Sequence, residues 1–141
     1  MPNRRTHEAT LILGPDNTIA GTVRVNAALV NHGLVDPNNT TDQTVNHKIR
    51  LTCEPKVGPG DWQATCDDCD DEEEDENNIL SVEAMVVGTG DLTVGTQGVL
   101  NVKRHMSLHG DFEIAGKWAK IQIDPHIIFD VDRFTSDLCP Q

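Results

Sequence analysis

The sequence predicts an all-β chain: an antiparallel β-sandwich, jelly roll or small barrel of about 8–10 short strands with no substantial helix. Three observations carry this. Apolar and polar residues alternate with period two in most ordered-looking segments, which marks strands with one buried face. Turn clusters built from Gly, Pro, Asn and Asp recur at short intervals. No segment repeats apolar residues at the three-and-four spacing of an amphipathic helix.

Along the chain, residues 9–13 form a short apolar run that ends in the turn cluster Gly14-Pro15-Asp16-Asn17. Ile19, Gly21, Val23, Val25, Ala27 and Leu29 then alternate with polar residues, so the two segments read as a hairpin closed at Pro15. Residues 31–44 are a long polar loop. Val45, His47, Ile49, Leu51 and Cys53 resume the alternation, placing His47 inward as a core histidine and Cys53 on the apolar face. A turn with Pro55 and Pro59 leads to a strand around Trp62 and Ala64.

After residue 78, Leu80, Val82, Ala84 and Val86 alternate again, and glycines at 88, 90, 95 and 98 enclose a strand at 92–94. Leu100, Val102, Met106 and Leu108 share a face opposite His105 and His109, which as strand residues stand about 13 Å apart and cannot share one metal ion. Gly110-Asp111 reads as a turn before Phe112 and Ile114. Ile121, Ile123, Ile127, Phe129 and Val131 supply the last strands, and the tail 133–141 shows no period. Recurrent Gly-rich turns over 88–123 suggest a β-solenoid as the alternative, but the repeat length is irregular.

The 141 residues fit one β-domain (1–141), long enough to bury close to 70% of its unfolded surface. With 4% aromatic residues and no Tyr, its core must be aliphatic. An acidic loop, 66–78, interrupts the two β halves. Nine of the ten residues from Asp67 to Glu76 are acidic: Asp67, Asp68, Asp70, Asp71, Glu72, Glu73, Glu74, Asp75 and Glu76. The net charge of −12 sits mostly there, because the rest of the chain carries 14 acids against 11 Lys and Arg. A near-neutral body with one acidic loop lacks the basic footprint that nucleic acid requires.

No apolar run is long enough to span a membrane as a helix, and the N-terminus lacks the apolar core of a signal peptide. The expectation is cytoplasmic synthesis, with a virion as one destination. Cys66 and Cys69 form a C-x-x-C, and with Cys53 they are the candidate zinc ligands. Carboxylates around these sulfurs disfavour the thiolate that redox exchange needs. The acidic run is also a loose site for calcium or other divalent ions, though without EF-hand spacing. No motif requires a resident cofactor.

The function expected from these features is non-enzymatic and structural: a capsid decoration or cement protein that stabilises a shell through its loops and termini. Its partners would be a protein shell or other subunits, with a trimer or dimer as the symmetric default, and neither nucleic acid nor membrane. A small metal-binding module at Cys66 and Cys69 is the first alternative. An all-β enzyme without a recognised motif is the second.

Overall fold

Residues that interrupt the alternation in this chain are corners, and the strands between them stack coil upon coil. A computed structural model describes residues 9–38, 46–70 and 75–136, which form fifteen strands and no helix. The first coil holds β1 (Thr10–Leu13), β2 (Thr18–Ile19) and β3 (Val23–Val25). The second holds β4 (Ala28–Asn31), β5 (Leu34–Val35) and β6 (Lys48–Thr52), and the third β7 (Lys56–Gly58), β8 (Asp61–Ala64) and β9 (Asn78–Glu83). The fourth holds β10 (Val86–Gly88), β11 (Leu92–Val94) and β12 (Gly98–Val102). In the fifth, β13 (Met106–Ile114) covers two faces and β14 (Lys120–Ile123) the third; β15 (Phe129–Ser136) begins a sixth.

Every strand pairing is parallel. A ten-stranded sheet follows the order β1-β4-β7-β10-β13-β11-β8-β5-β2 with β15 added against β13, and a five-stranded sheet runs β14-β12-β9-β6-β3. The long strands β13 and β15 bend from the first face to the second, so the sheets enclose a nearly closed, barrel-like tube. This is a parallel β-solenoid.

The antiparallel sandwich, jelly roll and small antiparallel barrel are therefore corrected, as is the count of 8–10 strands. Alternation reports that one face is buried, and a solenoid wall has one wet face just as an antiparallel sheet does. It does not report the direction of the neighbouring strand. The hairpin at Pro15 is absent, since β1 pairs β4 and β2 pairs β5. Gly110-Asp111 is not a turn but a register shift inside β13. Residues 133–136, expected as irregular tail, belong to β15; 137–141 lie outside the described residues. The solenoid suggested for 88–123 extends across the described chain.

Inward side chains stack in rows, one from each coil. On the second face the row is Ile19, Val35, Trp62, Leu92, Phe112 and Phe134. On the third it is Val23, Ile49, Leu80, Leu100 and Ile121. Middle members such as Trp62, Leu92 and Leu80 are fully buried, because a coil lies on either side. A single coil cannot bury its own inner side chains, so stability here comes from stacking.

The inner row of the first face contains a lysine: Leu29, Lys56 and Val86 are successive members. Lys56 is fully buried, and its Nζ donates to the backbone carbonyls of Ala27 (2.8 Å), Thr52 (2.6 Å) and Glu54 (2.6 Å). It thereby ties the third corners of two coils together. Burial pulls its pKa down to about 8, against the opposing pull of Cys53 and Glu54.

Between the first and second faces the corner is Gly-Asp at 60–61, 90–91 and 110–111. A Cβ on Gly90 would collide with the Gly60 carbonyl oxygen, so close stacking requires glycine there. The Asp61 carboxylate accepts the Asp91 N–H and the Asp91 carboxylate accepts the Asp111 N–H, each at 2.9 Å. Arg133 closes this ladder on Asp111 at 3.3 and 3.4 Å.

Candidate functional site

The solenoid leaves two features that its own stacking does not consume. One is the corner between the second and third faces, where both long loops emerge. From β11 to β12 that corner takes only residues 95–97, whereas β5 to β6 takes 36–47 and β8 to β9 takes 65–77. The two insertions occur on consecutive coils, and their described parts lie side by side.

Short polar side chains tie them together. Asp36 accepts the Thr65 N–H (3.1 Å) and hydroxyl (2.7 Å), and burial raises its pKa. Asn38 donates to the Asp67 carboxylate (3.0 Å) and accepts the Asp67 N–H (2.9 Å). Asn78 is buried; its side chain accepts the His47 N–H at 2.7 Å and donates to the Thr65 carbonyl at 3.1 Å. From the next coil, the Gln97 amide donates to the carbonyls of Asp70 (2.9 Å) and Glu76 (2.8 Å). Both ends of the acidic run are thus fixed to the coil.

Of the acidic residues expected to form an interaction surface, Asp67, Asp70 and Asp75 are exposed, while Asp68 and Glu76 are half-buried. Glu76 accepts the Asp70 N–H at 2.6 Å. Asp71, Glu72, Glu73 and Glu74 lie outside the described residues.

The three candidate zinc ligands are not brought together. Cys66 and Cys69 are joined by a disulfide with their Cα atoms 5.5 Å apart, and a disulfide sulfur is not the thiolate that zinc takes. Cys53 is exposed at a different corner, with φ 65°; the alternation ends at Thr52, so Cys53 turns the chain instead of lying on the apolar face. Among the described residues no group of three or more His, Cys, Asp or Glu is placed to hold a metal ion. His47 is buried and its Nδ1 lies 2.9 Å from the Thr22 hydroxyl. His105 accepts the Ile128 N–H at 2.8 Å and His109 pairs with Asp132 at 3.3 Å, so each braces the last coil.

The second feature is the open end of that last coil, which the alternation did not reveal. Phe112, Ile114, Ile121, Ile123, Phe129, Val131 and Phe134 line an apolar groove of about 470 Å³. These are inner-row residues, yet Ile123 is 45% and Phe134 53% exposed, because no described coil follows them. Phe112 packs edge-on against Phe129 at 5.3 Å and tilted against Phe134 at 5.1 Å. At the start of the tube Leu13 and Val25 of the first coil are buried, whereas Leu11, in register with the inward Leu29, is 43% exposed.

Among the described residues no helix is long and apolar enough to cross a membrane. No family model, curated protein or solved structure matches the chain.

Proposed function

We propose that this protein is a non-enzymatic structural component of a protein assembly, a rigid parallel coil that joins other subunits. The observation that carries it is the open end: inner-row residues at the last coil face solvent where every middle coil buries their equivalents. Exposed apolar patches rimmed by polar residues mark protein contacts. Terminal repeats of a solenoid otherwise carry a polar cap.

The use made of polar side chains supports the same reading. Asn31, Asp36, Lys56 and Asn78 are buried, and each bonds backbone groups of an adjacent coil or loop. They hold the frame. The acidic loop, fixed at both ends by Gln97, adds a charged contact for a basic partner surface.

A parallel solenoid is neither a sandwich nor a jelly roll, so the fold gives no support to a capsid decoration protein in particular. With the fold corrected, the reading is the broader one, of a protein that binds other protein subunits, with a shell as one such partner. Adding the purified protein to preassembled subunits or shells from its source should raise their melting temperature. A protein that binds none of them overturns the reading.

A further inference from the structure

We infer that the Cys66–Cys69 disulfide is a reducible latch on the corner where the acidic run begins, opened by neutral or cationic thiols in preference to anionic ones. This goes beyond the assembly reading and stands without it.

The bridge encloses only Asp67 and Asp68. A ring so short removes little freedom from the unfolded chain, so it adds little to global stability. The coil beneath it is held by other means: Asp36 and Asn78 bond Thr65, and β8 is paired on both sides by β5 and β11. What the disulfide fixes is local. Asp70 directly follows Cys69; its N–H donates to Glu76 Oε1 at 2.6 Å and its carbonyl accepts from the Gln97 amide at 2.9 Å. Tying Cys69 to the buried Cys66 holds Asp70 against Gln97. With the bridge open, these bonds must order the turn against its full backbone freedom.

The two sulfurs differ in access. Cys66 is buried and Cys69 half-buried, so an incoming thiolate attacks Cys69 Sγ. A mixed disulfide forms there as the S–S bond breaks, and the electron pair leaves on Cys66 Sγ. A second thiolate then attacks the reductant's sulfur in the mixed disulfide and releases Cys69. Two thiols are oxidised to one disulfide, the protein disulfide is reduced to two thiols, and the protons given up by the reductants end on the two cysteines.

The charges along this stretch have one sign. Asp67 and Asp70 are exposed and Asp68 half-buried, and the sequence holds no Lys, Arg or His between Lys56 and Lys103. A neutral thiol attacks as a monoanion, a cationic one as a zwitterion without net charge, and a sulfonate-bearing one as a dianion. The negative field lowers the local concentration of each in proportion to its charge. The site is a latch and not an exchange catalyst, since a catalyst needs a cationic setting to stabilise its thiolate.

The test uses the intact oxidised protein with cysteamine, 2-mercaptoethanol and 2-mercaptoethanesulfonate, each rate divided by that thiol's rate with a small neutral disulfide. Cysteamine should open the bridge at least about tenfold faster than the sulfonate at low salt. The ratio should approach one near about 1 M NaCl, where the screening length is about 3 Å. Asp68→Asn with Asp70→Asn should narrow it at low salt. Reduction should also speed hydrogen exchange at the Asp70 amide by about tenfold or more, with the amides of β8 and β9 and the circular dichroism unchanged. Cys66→Ser with Cys69→Ser should show the fast Asp70 amide with or without reductant.

Equal normalised rates for the three thiols, or an Asp70 amide indifferent to reduction, overturns the inference. Loss of β-structure on reduction also overturns it, because the bridge is then a staple of the fold. If the serine pair does not fold, the reduction series on the wild type decides alone.

Discussion

Asn38 and Asp67, one on each inserted loop, hold each other through two hydrogen bonds: Asn38 Nδ2 donates to the Asp67 carboxylate at 3.0 Å, and the Asp67 N–H donates to Asn38 Oδ1 at 2.9 Å. The acidic loop is therefore braced by the polar loop of the preceding coil. Its base is also held by Asp36 and Asn78 on Thr65, by Gln97 and by the Cys66–Cys69 bridge.

Asn38→Ala should loosen the loop while leaving the coil folded. The pair is exposed, so the expected cost is about 1 kcal/mol in urea unfolding. Hydrogen exchange at the Asp67 amide should accelerate, with the amides of β8 unchanged. An unchanged Asp67 amide would show that the brace does not restrain the loop.

Lys56→Met should destabilise by about 3 kcal/mol or more, since it strands three carbonyls at a buried corner. The lysine also predicts a pH dependence. Its folded pKa of about 8 lies below the ordinary value of 10.5, so between these the unfolded chain binds more protons. Stability should rise with pH across that window relative to Lys56→Met, and show no such difference below it. Parallel pH profiles of the two proteins would contradict this.

Glu83 carries the opposite signature. The Arg50 guanidinium binds it at 2.8 and 2.9 Å and, with Ser81, holds its pKa near 2, below the ordinary 4.5. Its contribution is present above 4.5 and is lost as pH falls towards 2. Glu83→Gln should flatten that part of the acid-stability curve and leave the neutral-to-alkaline limb unchanged. A wild-type slope retained in Glu83→Gln would assign the acid limb to other groups.

Gly90→Ala tests the stacking itself. The added Cβ meets the Gly60 carbonyl oxygen, and the coils must separate to admit it. The expected loss is about 1–3 kcal/mol, read as a lower urea midpoint. A neutral result would mean that the corner is not tightly stacked.

Much of the strand content was legible in the sequence, because most inward positions from Ile49 to Val131 alternate as expected, Cys53 excepted. Strand direction was not. The corners at 20–22 and 26–27 are so short that alternation from Ile19 to Leu29 passes through three strands and reads as one. The coil period was present but masked. Gly-Asp followed by an apolar residue occurs at 60–62, 90–92 and 110–112, and strand register repeats after 20 residues from Leu92 to Phe112 but after 30 from Trp62 to Leu92. The difference arises at one corner, where the acidic loop is inserted. Subtracting that loop would have exposed the repeat. The groove was harder to foresee, since Ile123 and Phe134 have the pattern of core residues and are surface only because no described coil lies beyond them.

The most direct test of the account is the native mass of the protein purified gently from its source, measured beside Phe134→Asp prepared in the same way. The account predicts wild-type protein in complex with other protein subunits, and the variant released as a single chain that keeps its β-structure. A wild type that runs as a lone monomer, or a variant that remains fully assembled, would contradict it.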